Sequence, residues 1–276
     1  MPLEDEFGDI VAKARIGNGL SATRLADLAR VPEREIAEIE SYRITPDIDT
    51  IKRLASALGL DADKLAATAD GSWAPPPVDS SNESMIVRAV HVGYGSYGEN
   101  AYLVGCRTTG RGAVVDPGGA VDDIERQLRA NGVAAEMILI THAHADHTAG
   151  LQELSRRHPG VTVVCSALDR AAVMHSVSAD WRPAEDGSSI ALGKLSVTPL
   201  ATPGHTQGST CYAINGACFV GDTLFAGSIG RPTCDYERML SAVRSKVLSL
   251  PEYTVLLPGH GPATTVREEI GHNPFF

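Results

Sequence analysis

A short segment that follows a buried apolar run constrains this chain more than any other feature. The segment "THAHADHTAG", residues 141–150, places three histidines and an aspartate within six positions, directly after "MILI". An apolar run that ends in polar side chains is typical of a buried strand whose following loop carries functional groups. The segment therefore predicts either a metal site or a polar turn, and ligands elsewhere in the chain decide between the two.

Three other predicted strands end in a histidine or an aspartate. His205 follows "LATPG", Asp222 follows "CFVG" and His260 follows "LLPG". Because functional groups of α/β folds gather on loops beyond strand ends, we expect these residues to converge with the first segment. Imidazole and carboxylate groups suit zinc, manganese or iron(II). The candidate ligands are too many for one tetrahedral ion, and their number suits two ions that share a carboxylate. They are His142, His144, Asp146, His147, His205, Asp222 and His260.

Composition and charge exclude several functional classes. The formal net charge is -10 and hydrophobic residues make up 43% of the sequence, which predicts a soluble globular protein with a sizeable core. A nonspecific grip on nucleic acid or an anionic membrane is not expected. The apolar runs are too short to span a membrane, and the acidic opening "MPLEDEFGD" does not resemble a secretory signal. Five scattered cysteines without a C-x-x-C pair predict reduced thiols and a cytoplasmic protein.

The spacing of apolar residues and the composition change along the chain, and these changes predict two domains. Residues 1–70 carry apolar residues at helical spacing, and residues 71–84 form a segment rich in proline and serine that predicts a linker. From residue 85 to residue 276, short strands alternate with helices in an α/β pattern. With a flexible linker between them, we expect a chain without residues 1–72 to keep most of its turnover.

The second domain resembles the metallo-β-lactamase-fold hydrolases, and within them the type II glyoxalases, or hydroxyacylglutathione hydrolases. The resemblance is carried by "VVDPGG", "THAHADHTAG", "TPGHTQGS", "VGDTLFAGSIGR", "LPGHGPATT" and "HNPFF". It implies an αββα sandwich over residues 85–276, with the site at one edge of two packed sheets. The overall fold class is thus α/β, preceded by a small all-α domain.

The resemblance also implies how the ligands are divided between two divalent ions, with zinc as the expected metal and iron or manganese as alternatives. The first ion would take His142, His144 and His205, and the second Asp146, His147 and His260, with Asp222 bridging. Asp116 in "VVDPGG" would orient a ligand histidine, although an aspartate that simply holds the turn explains the motif equally well.

The implied reaction is hydrolysis of a small-molecule thioester, with Asp146 and Asp222 as catalytic residues. The resemblance suggests a substrate such as S-lactoyl- or S-formyl-glutathione, or the same ester of another small thiol. Zinc β-lactamases have another residue, usually cysteine or serine, at the position of Asp222, so antibiotic hydrolysis is not expected. Two alternatives stay open: a persulfide dioxygenase with one iron on His142, His205 and Asp222, and a transcriptional regulator whose metal domain senses a ligand.

Two stretches are candidates for substrate binding. Tyr94, Tyr97 and Asn100 in "GYGSYGENAY" lie where the early loop of the family borders the site. Arg231 in "SIGRPTCD" is positioned to meet an anionic group of the substrate, but packing or an ion pair explains it equally well. Relatives usually continue differently after this "GR", which leaves the thiol carrier undetermined.

Residues 17–60 resemble the Cro/C1-type helix-turn-helix of phage-repressor relatives, through "LSATRLADLARV", "EIAEIES" and "DTIKRLASALGL". Arg24, Arg34 and Arg43 are the candidate DNA contacts. However, residues 1–70 hold 14 acidic and 9 basic side chains, a local charge of -5, and DNA affinity depends largely on neutralising phosphates. We therefore expect this domain to mediate dimerisation or another protein contact, giving a homo-oligomer, rather than to read DNA.

Overall fold

The first part of the chain is a bundle of five short helices. The computed structural model describes residues 1–94 and 97–276, and the side chains of residues 94 and 97 are outside that description. The helices are α1 (Phe7–Gly17), α2 (Ala22–Ala29), α3 (Glu33–Glu40), α4 (Ile48–Leu58) and α5 (Ala62–Ala69). Among the helices of the described residues, none has the length and apolar character needed to cross a membrane.

Local signals in the sequence set the ends of these helices. The side chain of Ser21 accepts a hydrogen bond from the backbone N–H of Arg24 at the start of α2. Asp47 caps α4 in the same way. Gly59 ends α4 in the left-handed conformation with φ of 71°, which glycine adopts without steric cost. Capping and the apolar spacing together specify this helical part.

The second part is a sandwich of two six-stranded sheets. In spatial order the first sheet contains β1 (Met85–Tyr94), β2 (Tyr97–Cys106), β3 (Arg111–Val115), β4 (Ala134–Leu139), β5 (Thr162–Cys165) and β6 (Asp180–Pro183). The second sheet has the order β14-β13-β10-β9-β8-β7, built from β7 (Ile190–Leu192), β8 (Leu195–Ala201), β9 (Thr210–Ile214), β10 (Ala217–Gly221), β13 (Val255–Pro258) and β14 (Thr264–Thr265). A small hairpin, β11 (Leu224–Phe225) and β12 (Ser228–Ile229), follows β10.

Helices cover the outer faces of both sheets. They are α6 (Val121–Ala130), α7 (Ala145–Thr148), α8 (Leu151–Arg157), α9 (Arg170–Val173), α10 (Tyr236–Ala242), which continues into a π-helical turn at Val243–Val247, and α11 (Val266–His272). Tyr212 and Phe219 are fully buried between the sheets. Ile124 of α6 and Val243 pack on the outer faces of the first and second sheet respectively. The predicted αββα fold class, with an all-α part before it, is confirmed.

The helical bundle and the sandwich share one apolar core. Leu25, Leu54 and Leu65 of the bundle belong to the same buried cluster as Ile229 and Phe275 of the sandwich. Burial of this kind stabilises by about 25 cal/mol per Å² of apolar surface, so the two parts support each other. The two parts are therefore joined by a shared core, while the retention of turnover by a chain without residues 1–72 stays a prediction.

Polar contacts fix the same interface. The backbone N–H of Asp61 donates to the carbonyl of Pro274 at 2.8 Å, and Lys64 Nζ donates to the carbonyl of Ile270 at 2.7 Å. Trp73, in the segment predicted as a linker, stacks on the ring of His272 with centroids 4.9 Å apart. The start of this segment is thus bound to the C-terminal end of the sandwich.

The buried carboxyl of Glu269 predicts a pH-dependent contribution to stability. It accepts hydrogen bonds from Gly227 N, Thr264 Oγ1 and Asn273 Nδ2, and burial raises its pKa from 4.5 to about 7. Between these values the folded state holds a proton that the unfolded state has released. The stability from this group is fully present below pH 4.5 and lost as pH passes about 7.

We expect Glu269→Gln to remove this dependence. The difference in free energy of unfolding between wild type and variant should change by about 3 kcal/mol between pH 4.5 and pH 8. Urea unfolding at a series of pH values measures this difference. Parallel pH profiles for the two proteins would contradict the prediction.

Candidate metal centre

The predicted ligands converge at one edge of the sandwich. They come from four connections that each follow a strand. These are the loop and α7 after β4 (His142, His144, Asp146, His147), the β8–β9 loop (His205), the residue after β10 (Asp222) and the loop after β13 (His260). Because strands of both sheets end at this edge, residues distant in sequence meet here.

Three histidines form the first group of donors. His142 Nε2 lies 2.9 Å from His144 Nδ1, and His205 Nε2 lies 3.1 Å from the same atom. Two bonds of 2.0–2.1 Å at a tetrahedral angle would separate two nitrogen donors by about 3.3 Å. His142 and His205 are buried, whereas His144 is exposed at the mouth of the site. The spacing suits one ion that is open to solvent on one side.

An aspartate and two histidines form the second group. Asp146 Oδ2 lies 3.8 Å from His147 Nε2 and 3.5 Å from His260 Nε2. Within this group the three ligand atoms all lie within 4.8 Å of one another. His147 is completely buried, which removes water as a partner for its Nε2. This group is a second set of donors for a divalent ion.

Asp222 stands between the two groups. Its Oδ1 lies 3.3 Å from His147 Nε2 and 3.6 Å from His260 Nε2, whereas its Oδ2 lies 3.6 Å from His205 Nε2. Among the described residues, neither Asp222 Oδ1 nor His147 Nε2 has a hydrogen-bond partner, although both are buried. Unpaired polar atoms are costly in a protein interior, and a cation between these donors would satisfy both.

Hydrogen bonds fix the orientation of the histidine rings. In three of them the Nδ1–H donates to an oxygen and leaves Nε2 turned toward the site: His147 to Asp116 at 3.0 Å, His205 to the carbonyl of Arg231 at 2.8 Å, and His260 to the carbonyl of Gly98 at 3.0 Å. Such contacts hold one tautomer and raise the basicity of the ligand nitrogen. The rings are arranged in advance for a metal.

Asp116 contacts both the ring of His147 and the loop that precedes it. Its Oδ1 accepts the backbone N–H of Thr141 at 2.8 Å, and its Oδ2 accepts both Thr141 Oγ1 and His147 Nδ1. We expect Asp116→Asn to weaken metal affinity about 10–100-fold, because the charge that holds the His147 tautomer is lost. Competition with a chromogenic chelator measures the affinity. Asp122→Asn, the same change at an exposed site, is the control, and equal affinities in both variants would refute the role.

Electrostatics favour cation binding at neutral pH. The hydrogen bond with His260 lowers the pKa of Asp146 to about 2. Burial opposes ionisation of Asp222, but His147 beside it holds the pKa of Asp222 well below its usual range. Burial lowers the pKa of His142 well below 6.5, which keeps its ring neutral and available as a ligand. Both carboxylates are therefore charged at neutral pH.

Sequence reasoning missed Glu99. Its side chain is 1% exposed, and Oε1 lies 3.9 Å from His147 Nδ1. Burial raises the pKa of Glu99 to about 10, so the carboxyl is protonated at neutral pH. An acidic residue within a strand predicts a solvent-facing position, and only its adjacency to "NAYLV" hints at the site.

The candidate substrate-binding residues differ in their burial and contacts. Asn100 is buried, and its side-chain amide donates to the carbonyls of Pro258 and Gly261. These hydrogen bonds hold the loop that carries His260. Asn100 therefore has a structural contact here, whereas the sequence predicted a contact with substrate. The side chain of Arg231 is exposed while its carbonyl holds His205. The side chains of Tyr94 and Tyr97 lie outside the described residues.

A cavity of about 660 Å³ opens beside His205. Its walls are more polar than apolar, and they are formed by Leu168, Pro203, Gly204, Gln207, Thr233, Cys234, Asp235 and Arg238. The volume falls in the range of small-molecule sites. Thr233 Oγ1 also donates to the carbonyl of His205, which links this cavity to the first group of donors.

The candidate DNA contacts lie on the free surface of the bundle. Arg24, Arg34 and Arg43 are all exposed. Arg34 pairs with Glu38 at 2.8 Å along α3, and Glu33 on the same helix is exposed. The outer face of α3 is thus accessible and carries carboxylates beside its arginine.

Comparison with known proteins assigns both parts to families. The Metallo-beta-lactamase superfamily profile matches residues 94–260, more than half of the 276 residues. The chain belongs to the metallo-beta-lactamase superfamily. A Helix-turn-helix profile matches residues 11–65, so the predicted family of each part is confirmed.

Similar proteins include named hydrolases. The probable metallo-hydrolase YqgX of Bacillus subtilis is 33% identical over 180 residues, covering 59% of this chain and 85% of the relative. Hydroxyacylglutathione hydrolase GloC of Haemophilus influenzae is 29% identical over 184 residues, covering 59% of this chain and 86% of the relative.

Solved structures with the same fold span the sandwich. TTHA1623 in a di-iron-bound form gives a TM-score of 0.57 at 30% identity, covering 68% of this chain and 100% of that one. ETHE1 from Myxococcus xanthus gives a TM-score of 0.57 at 27% identity, and the match covers 68% of this chain and 83% of that one. The superfamily hydrolase fold, with its donor clusters for divalent metal, is therefore established for this chain.

Proposed function

We propose that this protein is a dinuclear metal-dependent hydrolase that cleaves an acyl-thiol thioester. The observation that carries the proposal is the position of Asp222, whose two carboxylate oxygens face different groups of donors. One ion would be held by His142, His144 and His205, the other by Asp146, His147 and His260, with Asp222 shared. Zinc is the metal we expect, and the di-iron form of TTHA1623 keeps iron as an alternative.

Two bound divalent ions would supply a water of lowered pKa and polarise the carbonyl of the substrate. The Asp146 carboxylate, charged at neutral pH, would accept a hydrogen bond from the attacking water and orient it. The water loses a proton to solvent and its oxygen bonds to the carbonyl carbon, the carbon–sulfur bond breaks, and the thiolate leaves with the electron pair. The carboxylic acid product then releases its proton to solvent. A thiolate needs no strong acid to leave, which suits a site with few protonated groups.

The cavity beside His205 is the proposed site for the thiol carrier. Gln207 and Arg238 offer donors for the amides or carboxylates of a small peptide-like thiol, and Leu168 offers apolar surface. The name of the Haemophilus influenzae relative supports a glutathione thioester as the first substrate to test.

The direct test measures thiol release from three thioesters: S-lactoylglutathione, S-formylglutathione and acetyl-coenzyme A. We expect metal-dependent turnover of at least one glutathione ester and none of a penicillin. Penicillin hydrolysis without thioester turnover would overturn the proposal. The benzylpenicillin control matters because Asp222 is the residue on which the exclusion of antibiotics rests.

A second candidate is oxidation of a persulfide at a single iron. The similarity to ETHE1 favours it, and His142, His205 and Asp222 would be its ligands. Oxygen uptake with glutathione persulfide separates the two candidates. Uptake by protein that holds one iron per chain, without thioester turnover, would establish the second candidate instead.

For the helical part we propose a role in protein contact, including self-association, rather than DNA reading. The exposed carboxylates of α3 and the local charge of -5 over residues 1–70 both oppose approach to phosphates. Light scattering and electrophoretic shifts at low salt test this. Tight, salt-sensitive binding to DNA through Arg24, Arg34 or Arg43 would contradict it.

A further inference from the structure

A second cavity, of about 330 Å³, lies where one face of the first sheet leaves the core of the sandwich. Alternate side chains of β1 share this face. Val87 is buried between the two sheets, whereas Ala89 and His91, farther along the same face, are exposed and line the cavity. Residues 75–78 of the proline-rich segment also line it. The cavity therefore continues the core of the sandwich, and it shares no lining residue with the cavity beside His205.

The lining of this second cavity favours an apolar and uncharged ligand. It is more apolar than polar, and in the part of the chain that the structure describes no Asp, Glu, Lys or Arg side chain contributes to it. Pro75, Pro76 and Pro77 contribute rigid rings, which pack well against a flat ligand. Leu257 of β13 adds apolar surface from the second sheet. The volume lies at the lower end of the range of about 300–1,000 Å³ that small-molecule sites occupy.

One acceptor in this lining is fixed in advance. Asn100 also lines the cavity, and its Nδ2 donates to the carbonyls of Pro258 at 3.2 Å and Gly261 at 2.9 Å. Its Oδ1 therefore faces His91 Nδ1, which lies 2.7 Å away and donates to it. In the neutral imidazole, Nε2 is then an acceptor, and no residue in the described ranges donates to it. A ligand with one donor group would satisfy this nitrogen.

We infer that this cavity binds a small neutral aromatic compound that carries one hydroxyl or ring N–H. The apolar walls cover the aromatic ring, and the donor meets His91 Nε2. This site goes beyond the proposed thioester hydrolysis and does not depend on it. Its floor is nevertheless connected to the metal centre, because the backbone N–H of Asn100 donates to the carbonyl of Gly259, next to His260. The competing view is a cavity that holds only water.

Indole and benzothiophene test the inference by calorimetry on the full-length protein. The two compounds have nearly the same bicyclic shape, and only indole has a ring N–H. We expect wild type to bind indole at least about fivefold more tightly, the contribution of one hydrogen bond. His91→Asn keeps a donor for Asn100 Oδ1 but lacks the ring Nε2, so it should bring the two affinities within about twofold. Indole-2-carboxylate should bind at least about tenfold more weakly than indole, because its charge would be buried without a partner.

Ala89→Trp tests the location of the site. Ala89 is exposed on β1, so a large side chain there fills the cavity without entering the core, and indole binding should be lost. Ala191→Trp, at an exposed position of β7 outside the cavity, is the control and should bind indole as wild type does. Thermal melting without ligand verifies that both variants are folded. Wild type that binds no indole at millimolar concentration overturns the inference. Equal affinities of wild type for indole and benzothiophene refute the hydrogen bond to His91, and indole binding by folded Ala89→Trp refutes the location.

Discussion

Replacing Asp222 with alanine is expected to abolish metal retention and lower kcat/KM for the thioester by at least about 10⁴-fold, as for the loss of a group on which a whole catalytic unit depends. The reason is that its two oxygens face His147 on one side and His205 on the other, so this carboxylate is placed to join the two donor groups. Metal per chain and turnover are measured on the same preparation. Asp122→Asn, an exposed aspartate, should behave as wild type.

The Asp222→Ala variant must be shown to be folded before its inactivity is interpreted. Removing this buried carboxylate takes away the oxygen that lies 3.3 Å from His147 Nε2, so some loss of thermal stability is expected. A folded variant that retains two ions per chain and near wild-type turnover would contradict the bridging role.

Gly259→Ala is expected to have the second-largest effect without removing any ligand. A methyl group at this position would lie 2.5 Å from Asp222 Oδ1 and 2.6 Å from His147 Cε1. The backbone cannot retreat easily, because Gly259 N donates to the carbonyl of Gly221 and its own carbonyl accepts from Asn100 N at 2.7 Å. Displacement of catalytic groups by about 1 Å costs about 100-fold, so we expect at least that loss in kcat/KM.

Gly271→Ala is the matched control for this substitution. Gly271 lies in α11, is exposed and has open space where a methyl group would lie. In that helix the change should be neutral or stabilise by about 0.5–1 kcal/mol. Thermal melting with and without added zinc separates the two effects: Gly259→Ala should lose the stabilisation by metal, and Gly271→Ala should keep it. Equal metal responses would show that the site tolerates the methyl group.

The sequence predicted the convergence of the candidate ligands because each of them follows a strand. Residues after β4, β10 and β13 had to meet if those strands ended at one edge, as they do. Apolar residues at helical spacing in the first part of the chain, such as Ile36 and Leu54, are also buried. These predictions succeeded because periodicity and strand ends are local signals that survive in the folded state.

The docking of the bundle on the sandwich could not be predicted in this way. The shared core uses Leu65, Tyr236 and Phe275, which look like ordinary amphipathic positions in their own segments. Gly17 lies so close to Tyr236 that a methyl group would be 2.5 Å from its ring, a fit that no local pattern encodes. Glu99 was missed for a related reason, since only tertiary packing buries it beside His147.

The measurement that most directly tests the dinuclear hydrolase is metal identity and stoichiometry by elemental mass spectrometry. The protein should be purified without chelator and without metal supplement, and thioester turnover should be assayed on the same sample. We predict close to two zinc, iron or manganese ions per chain and an active thioesterase. Protein without bound metal, or a single iron with an empty second site, would contradict the dinuclear account, and the single iron would favour the dioxygenase.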